Sequence, residues 1–554
     1  MSDLKGYQLL ASAFAAEGVD RVFTLMGDGN MFWATALARE HGVRLIHARH
    51  EHSAVAMAEG YARKTGRVGI ASTTCGPGFT QIMTALTVAV RQGTPVIVFA
   101  GDTPTTDAFH NQEVDQKPFA LATGARFIAV RTADRMLECV REAFYVARYE
   151  RCPVVLSVPM DLQDRVFDWA ADYQPSDTVM PRAQAVQPDP ALVSEVATML
   201  AAASRPIIIA GEGAMRSGAA AALEALAEQS GALLATTLRA KGLFDHNPWA
   251  IGISGAFSSD VAREFFASAD LVVAAGASLT AYATEQGYLF PNAKVVQVDI
   301  SPRGFWQGLR VADLHVRGDA KATATAIGDA LRGRGPAREG FRTREVGAKI
   351  AAFTPDARPF PIEAGTFDPR AAVMELDRVI PPDWDIVVGC AHFFNFVVTH
   401  MRGRAAERWF IAHAFGAIGQ GLPTAIGVAV ARGDPKVVLV EGDGSLLMHV
   451  QELEALARHG IRLLICVLND GAYGAEVHKL VPAGVDPGEA IFGRTDLAAV
   501  SRGFQLAGHT VTDLGNLRAL LEQYAASGKA TLLDIPVSRE VPSQQYRRLF
   551  WGET

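Results

Sequence analysis

Cysteine is scarce in this sequence, with five residues among 554, scattered at Cys75, Cys139, Cys152, Cys390 and Cys466. The number is odd and the spacing is not of metal-binding type, so the five read as reduced, buried thiols without an assigned role. No apolar run approaches the roughly 18 residues that a membrane helix needs. Blocks of like charge and basic stretches are also missing, and the net charge is −7, so nothing points to nucleic acid. The opening stretch "MSDLKGYQLLASAFAAEG" lacks the uninterrupted apolar core of a secretory signal and reads as an amphipathic helix. These absences lead to the expectation of a cytoplasmic globular protein with neither membrane nor nucleic-acid partners. Apolar residues, by contrast, make up 49% of the chain and charged ones only 20%. A chain of this length is too long for one core and suggests about three domains.

Short β-prone runs alternate with helical segments over nearly the whole length, the pattern of parallel sheets with crossover helices. The expected fold is α/β, with three doubly wound parallel-sheet domains at 1–174, 188–334 and 366–545. In the first, "RLIHA" (44–48), "VGIAST" (68–73) and "PVIVFAG" (95–101) read as strands. "HSAVAMAEGYARKTG" and "FTQIMTALTVAVRQG" read as the helices between them. A Pro-, Ser- and Asp-rich stretch at 173–190 and a Pro-, Gly- and charge-rich stretch at roughly 333–368 read as linkers. The third block holds "DIVVGCAHFF", "KVVLVEGDG", "RLLICVLNDG" and "ATLLDIPV". Blocks one and three look like two copies of one nucleotide-binding-like fold.

Two acidic turns in the third block carry the strongest chemical signal. Asp443 and Asp470 each follow a β-prone run, 27 positions apart, with a helical stretch at 450–459 between them. If the runs are parallel strands joined by that crossover, both turns open at the carboxyl edge of one sheet, where open α/β sheets bind ligands. Gly442 and Gly444 let backbone N–H groups approach an anion. Two carboxylates, a backbone carbonyl and phosphate oxygens make a Mg²⁺ shell, because this ion prefers octahedral oxygen ligation and usually meets proteins through phosphates.

"GDGS" followed at this distance by "ND" resembles the cofactor motif of thiamine diphosphate enzymes. The resemblance implies thiamine diphosphate and Mg²⁺, with Asp443, Asp470 and the backbone carbonyl of Ala472 as metal ligands. Asp470 stands where the family commonly has Asn. The same match places Ser445, Tyr473 and Gly474 at the cofactor. "LIHARHEHSAVAMAEGYARKTG" resembles the segment carrying the carboxylate that presses the aminopyrimidine toward its imino tautomer, and the matching residue is Glu51. "HAFGAIGQGLPTAIGVAVA" implies Ile418 as the apolar wedge between the two rings, with Gly416 beside the aminopyrimidine. "STTCGPGFTQ" matches a turn beside the active site through Gly76, with Gln81 where Asn is frequent. "GCAHFF", with Gly389, Cys390, Ala391 and His392, matches the loop that reaches the diphosphate. The three domains then correspond to pyrimidine-binding, central and diphosphate-binding domains. A homodimer or dimer of dimers follows, in which the cofactor lies across an interface.

The branch implied is that of acetolactate synthase, pyruvate and benzoylformate decarboxylases, benzaldehyde lyase and the acyl-CoA lyases. Its shared chemistry breaks a C–C bond beside a carbonyl and leaves a carbanion/enamine on the cofactor. Asp28 in "FTLMGDGNMFW" and Glu476 in "NDGAYGAEVHKL" match catalytic acids of pyruvate-type decarboxylases, and a buried pair of them would share protons. His110 and Gln112 fall near the family's active-site His or Gln positions. "YGAEVHKL" lacks the Met and Trp usual in acetolactate synthase, and "GASLTAYATEQG" replaces its "GARFDDR"-like FAD contact. Bound FAD is therefore not expected. Asp299, ending "VVQVDI", is a candidate for a ribose hydroxyl. The expected activity is decarboxylation of a 2-oxo acid, with the enamine protonated or ligated to an aldehyde. The alternatives are a 2-hydroxyacyl-CoA lyase or an oxalyl-CoA decarboxylase-like enzyme, then acetolactate synthase, and a non-catalytic regulatory protein that retains the fold. Two adjacent Arg in "SQQYRRLFWGET" could meet CoA phosphates, but read first as a solvated basic tail.

Overall fold

A computed structural model describes residues 4–167, 173–181 and 184–553, so the ends of the chain and parts of the first linker (168–172, 182–183) lie outside the described residues. Three six-stranded sheets, each wholly parallel, form in succession along the chain. Their strands are buried almost end to end, as in Val437–Gly442 and Leu464–Asn469, which is why they read as continuous apolar runs. The first sheet runs Arg44–His47, Arg21–Thr24, Gly69–Thr73, Val96–Asp102, Val154–Pro159, Arg126–Ala129. The third runs Trp409–Ile411, Asp385–Val388, Val437–Gly442, Leu464–Asn469, Thr531–Pro536, Ala507–Thr510. Both have the order 2-1-3-4-6-5 when strands are counted along their own unit, which supports the expected kinship of blocks one and three. The middle sheet, from Pro206–Ala210 to Leu314–Arg317, has the order 3-2-1-4-5-6, the doubly wound dinucleotide topology.

The first and third units meet along two helices, Glu51–Thr65 and Gly421–Arg432. A Cβ on Gly60 would come within 2.3 Å of the Thr424 carbonyl, and one on Gly427 within 2.0 Å of the Met57 carbonyl. Glycine at both crossings is what lets the backbones touch. At one end of this contact Lys64 and Arg432 lie 2.6 and 2.9 Å from the fully buried Asp385 carboxylate.

Several local features differ from the reading of the sequence. The helix expected over 79–93 is two, Pro77–Thr80 and Met83–Gln92, with Gln81 exposed at the break. The stretch at 333–368 contains a helix, Arg344–Ala351, capped by the Thr343 hydroxyl. Four cysteines are buried as expected, whereas Cys152 is half-buried. The expectation of a solvated basic tail is wrong. The tail folds as the helix Gln544–Phe550, with Arg547 paired to Asp356 and Glu553 and Arg548 paired to Asp260. Ion-pair partners on two other segments, invisible locally, make the difference. Among the described residues no helix is long and apolar enough to cross a membrane.

Candidate active site

The strands Val437–Gly442 and Leu464–Asn469 are hydrogen-bonded neighbours, with Gly442 opposite Leu468, so the acidic turns lie side by side at one sheet edge. The Gly471 N–H donates to Asp443 Oδ2 at 2.9 Å, and the Ala472 N–H donates to Asp470 Oδ1 at 3.0 Å. Burial raises the pKa of both carboxyls, and the charge of Asp443 raises that of Asp470 further. A bridge between Ala472 and Ile491 is closed by Tyr473 N–H to Ala490 O and Phe492 N–H to Gly471 O. This geometry leaves the Ala472 carbonyl without a hydrogen-bond donor among the described residues. Two crowded carboxylates and a bare carbonyl are a donor set that a hard, oxygen-seeking cation could use. A Cβ on Gly474 would sit 2.6 Å from Asp470 Oδ2 and 3.3 Å from His392 Nδ1, so only glycine keeps this space open. Gly442 likewise faces the Phe393 ring and Gly444 the rings of Tyr473 and Phe492.

Two loops approach this edge. The first follows Asp385–Val388, where a Cβ on Gly389 would meet the Glu441 carboxyl at 1.9 Å. Glu441 is fully enclosed, and burial pushes it up to about 8. Cys390, its thiol pushed up to about 12 by burial, lies with Sγ 2.9 Å from His413 Nδ1, and the His413 ring stacks on Phe394. Ala391 precedes the helix His392–His400, and His392 Nε2 accepts the Ser543 N–H at 3.0 Å. The second loop carries Gly416, at φ +71°, and the half-buried Ile418. It is tied to the acidic turn by the Gly419 N–H, which donates to Ser445 Oγ at 2.8 Å.

Glu51 opens its helix and is 7% exposed, yet its carboxylate makes no hydrogen bond among the described residues. Gly78 leaves room for it, since a Cβ there would lie 3.1 Å from Glu51 Oε1. The approach to Glu51 is set by the third unit. Both oxygens of Glu452 accept the Arg49 N–H, at 3.0 and 3.2 Å, and burial pushes this carboxyl up to about 7. His52 stacks on His449 with ring centroids 4.4 Å apart, and its Nε2 lies 2.7 Å from Gln420 Nε2. Burial holds both rings neutral, pulling His52 down to about 3 and His449 to about 4.

Gln112, His110, Gly76 and Cys75 come together beside the first sheet. Cys75 Sγ is 3.2 Å from Gln112 Oε1, the Gln112 N–H donates to His110 Nδ1, and a Cβ on Gly76 would strike the Gln112 carbonyl. Asp28 is close enough for its charge to help raise the Cys75 thiol, after burial. Asp28 is exposed, and so is Glu476, which lies 3.5 Å from Lys479. The expected buried carboxyl pair is therefore absent from a single chain, because the two acids belong to different sheets and each faces solvent. Asp299 ends its strand and accepts the Ser301 N–H. Sequence reasoning missed Glu441, His413, Glu452 and Ser543, none of which carries a local signal beyond its residue type.

Comparison with known proteins identifies the family. Residues 4–119 match the N-terminal TPP binding domain of thiamine pyrophosphate enzymes, 193–327 their central domain and 388–535 their C-terminal TPP binding domain. An acetolactate synthase large subunit of Parasynechococcus marenigrum is 28% identical over 97% of this chain and 88% of its own length. A probable acetolactate synthase large subunit of Methanocaldococcus jannaschii is 28% identical over 96% and 92%. An acetolactate synthase of Arthrospira platensis is 29% identical over 84% and 82%. With the three domain matches in their order along the chain and the paired acidic turns at one sheet edge, the protein belongs to the thiamine pyrophosphate enzyme family.

Proposed function

We propose that this enzyme uses thiamine diphosphate and Mg²⁺ to break the bond between the carboxylate and carbonyl carbons of a 2-oxo acid. The acyl fragment is then protonated or joined to a second carbonyl compound. The observation that carries the cofactor reading is the juxtaposition of Asp443, Asp470 and the bare Ala472 carbonyl, which we assign to the metal. Gly389, Cys390, Ala391, His392, Gly442, Gly444, Ser445, Tyr473 and Gly474 then surround the diphosphate, and Gly76, Gly416 and Ile418 the pyrimidine. When bound, thiamine diphosphate supplies the electron sink for C–C cleavage beside a carbonyl. Glu51, buried and without a hydrogen-bond partner among the described residues, is the group we assign to holding a proton at the pyrimidine nitrogen. Asp28, His110, Gln112 and Glu476 are assigned to the substrate side. Because Glu51, Asp28 and Glu476 find no partner across the site among the described residues of one chain, we infer a homodimer or dimer of dimers with the site at the interface.

The names of the relatives favour ligation of two 2-oxo acids as a second reading. The loop "GASLTAYATEQG" after Leu271–Ala275 departs from the FAD contact, so FAD has no part in the proposal. Arg547 and Arg548 are already committed to carboxylates, which weighs against CoA phosphates at the tail. Chelator-stripped protein should regain activity only with both thiamine diphosphate and Mg²⁺. Mass analysis of products from pyruvate and larger 2-oxo acids, alone and with an aldehyde, identifies the reaction. Activity on 2-hydroxyacyl-CoA with none on any 2-oxo acid would overturn the substrate reading.

A further inference from the structure

One ring nitrogen of His392 is hydrogen-bonded to the C-terminal segment, and the other lies beside Gly474 of the second acidic turn. Nε2 accepts the backbone N–H of Ser543 at 3.0 Å, so it carries no proton. A neutral imidazole has a single N–H, and here that proton must be on Nδ1. Nδ1 makes no hydrogen bond among the described residues. It borders the space kept open by Gly474, where a Cβ would lie 3.3 Å from Nδ1 and 2.6 Å from Asp470 Oδ2. His392 is 4% exposed, packed between His478, at 4.3 Å, and Tyr546, at 4.9 Å between centroids. It therefore cannot turn over to exchange its nitrogens without displacing them.

Ser543 is held firmly for its part. Its hydroxyl accepts from Asn395 Nδ2 and caps the helix Gln544–Phe550. That helix is pinned by the ion pairs of Arg547 and Arg548 and by Trp551 Nε1–H, which donates to the His478 carbonyl. The segment 542–551 is thus built against the back of His392.

We propose that the C-terminal segment is a positioning element for the cofactor: the Ser543 N–H locks His392 in the Nδ1–H tautomer, so that a fixed N–H donor faces a diphosphate oxygen. Ser543 acts only through His392 and is a positioning residue. The inference rests on the cofactor reading given above. A backbone N–H donating to the rear nitrogen of a ligand imidazole sets the tautomer in the way that outer partners orient metal-binding histidines.

The test compares Ser543→Pro, which removes the N–H at a backbone φ of −66° that proline tolerates, with Ser543→Ala, which keeps it. Both lose the hydroxyl, so their difference isolates the N–H. Calorimetric titration of thiamine diphosphate in the presence of Mg²⁺ should show Ser543→Ala near wild type and Ser543→Pro at least tenfold weaker. His392→Asn, whose amide presents an N–H close to the position of Nδ1, should retain binding that His392→Ala loses. Nitrogen-15 NMR of the unmodified protein gives a check that needs no variant, with His392 Nδ1 of protonated type and Nε2 of unprotonated type. Equal affinity of the two Ser543 variants, or an Nε2–H tautomer in the wild type, would overturn the inference. Failure of the wild type to bind thiamine diphosphate at all would instead overturn the cofactor reading.

Discussion

Glu452 offers a measurable handle on how the third unit positions Glu51. Its carboxyl is fully buried, accepts the Arg49 N–H through both oxygens, and is pushed up from 4.5 to about 7 by burial. A rise of that size corresponds to about 3 kcal/mol of penalty on the ionised form. The sign follows from proton counting. Between pH 4.5 and about 7 the unfolded chain has released this proton and the folded one has not, so stability falls as pH rises through that window. Below 4.5 both states are protonated, and above about 7 both are ionised with the full penalty present. Glu452→Gln keeps an acceptor for the Arg49 N–H and cannot ionise. Paired urea unfolding of wild type and Glu452→Gln, from pH 4.5 to 8, should show wild type losing about 3 kcal/mol relative to the variant, nearly all of it below pH 7. A difference that stays flat over this range, or one that grows in favour of wild type at pH 8, would refute the reasoning. Glu452→Ala should be worse than Glu452→Gln at every pH, because the Arg49 N–H loses its acceptor, a net loss of about 0.5–1.5 kcal/mol.

Asp443→Ala should abolish the stabilisation by thiamine diphosphate and Mg²⁺, seen as a rise in melting temperature, which for wild type at about 100 times the dissociation constant amounts to roughly 2.7 kcal/mol. Tight binding of the cofactor by this variant in calorimetry would remove Asp443 from the metal site. Glu51→Gln should bind cofactor normally while turnover drops about 10²–10⁴-fold, the usual loss on removing a general acid–base group. Full activity would assign the proton to another residue. Asp28→Asn and Glu476→Gln should each slow release of simple aldehyde and raise the share of ligated product when benzaldehyde is added in excess. If both retain the wild-type rate and product ratio, these acids are bystanders.

Much of the site was legible because its signals are local. A continuous apolar run ending in Gly-Asp-Gly states both the strand and the turn, and two such runs joined by a helix place Asp443 and Asp470 at one edge. Glu51 was singled out by the resemblance of its segment to the family, since an acid in the first turn of a helix is common for electrostatic reasons alone. What escaped depends on approach between distant segments. Nothing near Glu452 indicates that its carboxyl would be enclosed against Arg49, some 400 positions away. The tail could not reveal that Arg547 would find Asp356, and the sequence held no hint that the backbone of Ser543 would meet His392. The helical reading of 79–93 also ran through Gln81 and Ile82, where the chain in fact ends one helix and starts the next.

The backbone-to-backbone crossing at Gly60 and Gly427 works as a gauge block for the whole machine. Glu51 opens one of the two helices, and the loop bearing Ile418 runs directly into the other. With no side chain between them to compress or rotate, the spacing of those two helix starts is machined into the main chain. Any adaptation to a differently shaped substrate must therefore come from the exposed loop residues that surround the gauge.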